Sequence, residues 1–140
     1  MVDGALLVGD IGGTHARFAV AEADGRLRDI MVLRVADYRT FADALAAYVQ
    51  TQSSAPQAAC LALAGVVENG QVTVTNSGWV VHAEAIEKQH GFTKVHLIND
   101  FEAQAYFAGA MTAHSYLTLK DGKPVATAPL LVMGPGTGFG

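Results

Sequence analysis

Residues 5–35 read ALLVGDIGGTHARFAVAEADGRLRDIMVLRV, and their patterning decides the fold. Ala5–Val8 is a short apolar run that ends in a loop, Gly9-Asp10-Ile11-Gly12-Gly13-Thr14. Arg17–Ala21 alternates like a half-buried strand, and Arg28–Val35 reads as a third. Asp24-Gly25, between the last two, is a tight-turn signal. These three runs predict an antiparallel meander. A cleanly alternating doubly wound sheet would not open with three strands in succession.

Downstream the elements alternate. Thr40-Phe41-Ala42-Asp43 has capping-box spacing, with Asp where Glu or Gln is commoner. The helix it opens sets Phe41, Leu45, Tyr48 and Val49 on one face and stops before Ser53-Ser54-Ala55-Pro56. Ala58–Ala64 is a continuous apolar run, as expected of a central strand buried on both faces. Residues 66–74 form a hairpin pattern around Asn69-Gly70. Ala83–His90 reads as a helix closed by Gly91 in a left-handed cap. Lys94–Ile98 is a strand running into Asn99-Asp100, and Phe101–Ala108 is a short helix. Tyr116–Leu119 and Leu130–Met133 read as late strands separated by the turn Asp121-Gly122-Lys123-Pro124. The order predicts a mixed sheet with helices on its faces, an α/β fold of the ribonuclease H-like kind.

Composition narrows the function. The chain has 140 residues and a formal net charge of −4, which fits about one domain and argues against a nucleic-acid partner. Its one cysteine, Cys60, excludes an internal disulfide and a Cys-based zinc site. The apolar neighbours of Cys60 predict a buried thiol in a reducing, cytoplasmic compartment. No run approaches the roughly 20 apolar residues that span a bilayer, and the N-terminus lacks the basic start of a secretory signal. Charged residues make up 16%, against about 25% in ordinary soluble domains. So little charge points to surface that another body covers. The five histidines show no metal-ligand spacing.

Four strings carry candidate chemistry. In Asp10-Ile11-Gly12-Gly13-Thr14-His15-Ala16-Arg17 the glycines allow a tight bend that turns N–H groups toward a phosphate, with Thr14 adding a hydroxyl. Asp10, just past a strand, is placed to hold Mg²⁺ or its waters. The same string also reads as a plain hairpin tip, though it is neither a Walker loop nor a dinucleotide fingerprint. Asn99-Asp100 sits where a strand enters a helix. Asp100 either caps that helix or accepts a proton from a substrate hydroxyl, with Asn99 holding neighbouring hydroxyls. Thr75-Asn76-Ser77-Gly78-Trp79 offers an amide, a hydroxyl and an indole face that suit a sugar; a packed Trp79 explains it equally well. Gly134-Pro135-Gly136-Thr137-Gly138-Phe139-Gly140 is a second glycine-rich loop or a flexible turn. The chain stops there, as a truncated one would.

Together these strings resemble the bacterial glucokinases of the hexokinase-like family, in the superfamily of sugar kinases, actin and heat-shock ATPases. The resemblance runs through LVGDIGGTHARFAV, LALAGVVENGQVTVTNSGWVV, VHLINDFEAQAY and LLVMGPGTGFG in the family's order. It implies two lobes with a ribonuclease H-like (actin-like ATPase) fold and ATP-dependent phosphorylation of glucose at its 6-hydroxyl. By the resemblance Asp100 is the catalytic base and Asn99 a sugar ligand, with Asn76 beside it. Asp10, Gly12, Gly13 and Thr14 form the first phosphate loop; Gly136, Thr137 and Gly138 form the second. The cofactors implied are ATP and Mg²⁺, the partners glucose and ATP without nucleic acid or membrane, and the full-length assembly a homodimer. Residues 1–110 correspond to most of a small lobe and 111–140 to the opening of a larger one. That larger lobe carries the family's remaining sugar ligands, two Glu and a His, and most of the adenine pocket, so the fragment is expected to be inactive alone. The chain departs from the family at His15, where Asn is usual, and at Pro135 and Phe139. Two other readings share the phosphate loops: a non-catalytic sugar-sensing regulator, and an actin-like structural ATPase.

Overall fold

The computed structural model describes residues 4–53, 56–112, 114–123 and 125–135. The chain divides into two compact units, Met1–Asp100 and Phe101–Gly140.

The first unit contains eight strands: β1 (Leu6–Ile11), β2 (His15–Ala21), β3 (Leu27–Arg34), β4 (Ala58–Leu63), β5 (Val67–Glu68), β6 (Gln71–Thr73), β7 (Val80–His82) and β8 (Lys94–Asn99). Two helices, α1 (Phe41–Val49) and α2 (Ala83–His90), lie between them. A third, α3 (Asp100–Ala110), begins at the unit boundary. The predicted meander is present: β2 pairs antiparallel with both β1 and β3. A five-stranded sheet runs β3-β2-β1-β4-β8, with β4 parallel to its neighbours β1 and β8. The result is a mixed α/β unit. A smaller antiparallel sheet, β5-β6-β7, adds a third strand, β7, to the predicted hairpin.

Local signals act as expected. Asp24-Gly25 turns with Gly25 at φ +83°. The Asn69-Gly70 turn has both residues at positive φ, +51° and +73°, as a tight hairpin requires. At the start of α1 the Asp43 N–H donates to Thr40 Oγ1 at 3.1 Å, and the Thr40 N–H donates to Asp43 Oδ2 at 3.0 Å. This completed capping box contributes about 1 kcal/mol. Gly91 closes α2 in the left-handed conformation.

The core gathers on one face of the large sheet, through Leu7, Ile11, Phe18, Leu61, Leu63 and Leu97. Onto it α1 lays Phe41, Ala44, Leu45 and Tyr48. Phe18 stacks on Tyr48 with ring centroids 5.3 Å apart, and Phe41 meets Trp79 edge-on at 6.1 Å. Each such side chain stabilises the fold by roughly 1.5–3 kcal/mol through burial.

Three expectations need correction. Strand β1 runs on through Gly9, Asp10 and Ile11, so the loop is only Gly12–Thr14. Gly9 serves packing rather than turning, since a Cβ there would lie 2.8 Å from Leu61 Cδ2. Strand β4 is central but fully buried on one face only. Ala59, Leu61 and Leu63 are buried, whereas Cys60 and Ala62 on the other face are half-buried. Finally, 116–119 and 130–133 form no strands. Leu117 and Leu131 are 82% and 76% exposed, and alternation makes a strand only when a partner supplies its backbone hydrogen bonds.

In the second unit α3 has no buried residue, and Tyr106 and Phe107 face outward. Phe107, Met111, Tyr116 and Leu130–Met133 line an apolar groove within that unit. Among the described residues no helix is long and apolar enough to cross a membrane.

Candidate active site

Register brings the motifs of the first unit together. Ile11 of β1, Leu63 of β4 and Asn99 of β8 are partners in one row, so these strands end level with one another. The carboxyl ends of parallel strands are where open α/β sheets bind ligands. From this edge leave the Gly12–Thr14 loop, the Ala64–Val66 segment and, after Asn99, Asp100.

Backbone hydrogen bonds join the segments. The Ala64 N–H donates to the Ile11 carbonyl at 3.0 Å, and the Thr75 N–H donates to the Ala64 carbonyl at 2.8 Å. Within the loop the Gly12 N–H donates to the His15 carbonyl at 2.9 Å, and the Val35 N–H donates to that of Thr14 at 3.0 Å. The Gly12 N–H is therefore spent inside the loop. The case for glycine at position 13 is packing. A Cβ there would lie 2.8 Å from the Thr75 carbonyl oxygen and 3.0 Å from Asn76 Cβ, so the loop seats on the Thr75–Trp79 segment.

That segment holds Asn76 in the left-handed region, at φ +67°, with its side chain exposed. Asn is among the few residues that tolerate this backbone. Trp79 is 5% exposed and packed on Phe41, so its indole is core and not a platform for a sugar. A groove of about 470 Å³, mostly polar, is lined by Gly65, Val66, Glu68, Asn69, Gln71, Thr73 and Thr75.

Asn99 Nδ2 donates to the Gly65 carbonyl at 2.9 Å. Asp100 is the first residue of α3 and is half-buried. A carboxylate in a first helical turn is favoured by the helix dipole. Asp10 lies inside β1 rather than past it, in the row with Ala62 and Ile98, one residue back from Asn99 and on the opposite face. Its Oδ2 accepts from Arg17 Nη1 at 2.9 Å, with both side chains more than half exposed.

Among the described residues no group of three or more His, Cys, Asp or Glu is placed to hold a metal ion. Mg²⁺ keeps most of its waters and takes its other ligands from phosphates, so a single exposed carboxylate such as Asp10, here paired with Arg17, could serve it through water. Gly136, Thr137 and Gly138 lie outside the described residues.

Sequence reading missed three contributors: Arg17 as the partner of Asp10, Thr75 as the seat of Gly13, and Gly65 as the partner of Asn99. The first was recoverable, since a loop tip at Gly13-Thr14 sets Asp10 opposite Arg17 in any tight register. The other two are contacts across the fold that leave no local signal.

Comparison with known proteins identifies the relatives of this chain. The family model described as Glucokinase matches residues 7–140. A glucokinase of Paramagnetospirillum magneticum is 36% identical over 137 residues, covering 96% of this chain and 43% of the relative. The chain therefore spans less than half the length of the curated relatives it matches. The crystal structure of a glucokinase from an Antarctic psychrotroph superposes with a TM-score of 0.83 at 35% identity, covering 100% of this chain and 45% of that one. A glucokinase of the ROK family from Streptomyces griseus, determined in complex with glucose and AMPPNP, gives 0.60 at 26% identity over 74% of this chain and 35% of that one. With a family match along nearly its whole length, and the Gly12–Thr14 and Asn99-Asp100 motifs at one sheet edge, the chain belongs to the glucokinase family.

Proposed function

We propose that the full-length protein carrying this chain transfers the γ-phosphoryl group of ATP to the 6-hydroxyl of glucose. One observation carries the reading: the level ends of β1, β4 and β8, which put the Gly12–Thr14 loop and Asn99-Asp100 at the same edge of one sheet. The Streptomyces griseus relative, crystallised with glucose and AMPPNP, supports the choice of sugar and nucleotide. We place the fold with the ribonuclease H-like, actin-like ATPases, on the antiparallel β1-β2-β3 meander joined to parallel β4 and β8. In that frame residues 1–110 supply the small lobe and 111–140 the opening of a larger one.

In this reading Asp100 accepts the proton of the 6-hydroxyl as the oxygen attacks, and Asn99 and Asn76 hold other sugar hydroxyls. Gly13 and Thr14 receive phosphate oxygens on one side, and Gly12, whose N–H is spent on the His15 carbonyl, shapes the turn that presents them. Gly136, Thr137 and Gly138 are assigned to phosphate on the other. Asp10, reaching Mg²⁺ through water, would hold the ion that neutralises phosphate charge. Phosphoryl transfer needs little covalent help, so positioning and charge stabilisation carry most of the rate. We further assign the protein to the cytoplasm, as a homodimer acting in glycolysis.

Glucose-dependent ADP release by the full-length protein tests the proposal. Release that requires glucose supports it. Glucose binding without ADP release favours a sugar-sensing regulator, and ATP hydrolysis indifferent to glucose favours an actin-like structural ATPase.

A further inference from the structure

We propose that Gly65 is a positioning residue for sugar recognition: its carbonyl orients the Asn99 carboxamide, and only glycine fits where that carbonyl must sit. The proposal rests on the reading of Asn99 as a sugar ligand. A carbonyl oxygen can only accept a hydrogen bond. The end of Asn99 that faces Gly65 must therefore be the NH₂, which donates at 2.9 Å. This fixes the carboxamide one way round, with Oδ1 on the side away from Gly65. Asn99 then meets a sugar through a chosen edge instead of either edge at random.

The position of Gly65 leaves no room for a side chain. A Cβ built on it would lie 2.6 Å from the Thr73 carbonyl oxygen and 2.8 Å from Val72 Cγ1. The valine methyl could rotate aside, but the Thr73 carbonyl is strand backbone and could not. The peptide is held on its other side as well. The Gly65 N–H donates to the Leu63 carbonyl at 2.9 Å, and the neighbouring Ala64 carbonyl accepts from the Thr75 N–H at 2.8 Å. Any larger residue would push the 65 carbonyl off its line to Asn99. Gly65 also borders the polar groove beside the Thr75 segment, space that a polyol could enter.

The test uses the full-length protein with Gly65→Ala, Asn99→Ala and the double variant, measuring glucose Kd by calorimetry together with kcat and the KM for ATP. Loss of one neutral hydrogen bond predicts a rise of about 3- to 10-fold in glucose Kd for Gly65→Ala. The KM for ATP should stay within about twofold, since the change acts on the sugar side, and the calorimetric stoichiometry, which misfolding would lower, should stay at that of the unaltered protein. The double variant should bind glucose no worse than the weaker single one, since both changes disable the same amide. An unchanged Kd in Asn99→Ala overturns the assignment of Asn99 and this proposal with it. A raised Kd in Asn99→Ala with no change in Gly65→Ala, or additive losses in the double variant, overturns the proposal alone. If Gly65→Ala does not fold, hydrogen exchange of the Asn99 side-chain amide in the unaltered, sugar-free protein decides. Protection from exchange supports the bond to Gly65, and exchange at the rate of a solvent-exposed asparagine overturns it.

Discussion

At the residue scale, the proposed chemistry turns on Asp100. In the full-length protein Asp100→Asn keeps the shape and one acceptor but cannot take a proton. A general base is worth about 10²–10⁴-fold, so kcat should fall by that order while glucose Kd moves little. Survival of kcat within a factor of a few would reduce Asp100 to a helix-terminal residue. Gly13 is a different case. A methyl group there meets the Thr75 carbonyl at 2.8 Å, and such overpacking typically costs about 1–3 kcal/mol. Because the contact joins the proposed phosphate loop to the segment carrying Asn76, Gly13→Ala in the full-length protein should raise the KM of ATP and of glucose together. A change confined to ATP would mean that Gly13 serves phosphate alone. The Asp10–Arg17 pair is too exposed to contribute much stability, as such pairs are worth roughly 0–1 kcal/mol.

At the element scale, α1 is started by its capping box and held by its apolar face. Thr40→Ala removes the cap and should lower unfolding free energy by about 1 kcal/mol, read as a shift in the denaturant midpoint. Activity per folded molecule should not change, since the bonds lost are those between Thr40 and Asp43 at the helix start. Helix α2 is tied to β8 differently. The Val95 N–H donates to Glu87 Oε1 at 2.8 Å, and this bond, with Lys94 nearby, holds the Glu87 carboxyl below its ordinary value. Burial likewise pushes His90 below its ordinary value. In both cases the unfolded chain binds the proton more readily, so stability falls as pH falls. For Glu87 the contribution is complete above its ordinary pKa of 4.5 and disappears as pH drops through the lower folded value. Glu87→Gln should therefore flatten the stability profile below about pH 4.5 and leave the His90 region, nearer pH 6.5, unchanged. Denaturant midpoints taken across that range check this.

At the scale of the whole molecule, the sheet has one covered face and one that is open at its β3 edge, where Ile30 and Val32 are 65% and 55% exposed. The second unit adds exposed Leu117, Leu130 and Leu131. With charged residues at only 16%, these 140 residues produced alone are expected to self-associate through apolar surface. Light scattering that stays monomeric at high concentration would contradict this. The same segment should show no glucose phosphorylation above background. It spans less than half of its relatives, and transfer needs both substrates held in a cleft shielded from water.

The sequence by itself determined whatever depends on neighbours along the chain. Asn69-Gly70 makes its hairpin because two consecutive positive φ values suit those residues. Thr40 and Asp43 cap α1 because a three-residue spacing fits the first helical turn, and Gly91 ends α2 for want of a Cβ. The meander followed from three alternating runs with short connections, and the family from four motifs in order. Tertiary structure alone decided what depends on residues distant in sequence. Gly9 and Gly13 look like loop glycines, and are instead places where Leu61 and the Thr75 carbonyl come too close for a Cβ. Trp79 could have faced a sugar until Phe41 and the core claimed it. The alternating run at 116–119 could have been a strand, but among the described residues it pairs with none. Gly65 carried no signal at all, because its importance lies in the Thr73 carbonyl on one side and the Asn99 amide on the other. Local conformational preference is written residue by residue, whereas close approach is a property of the packed chain.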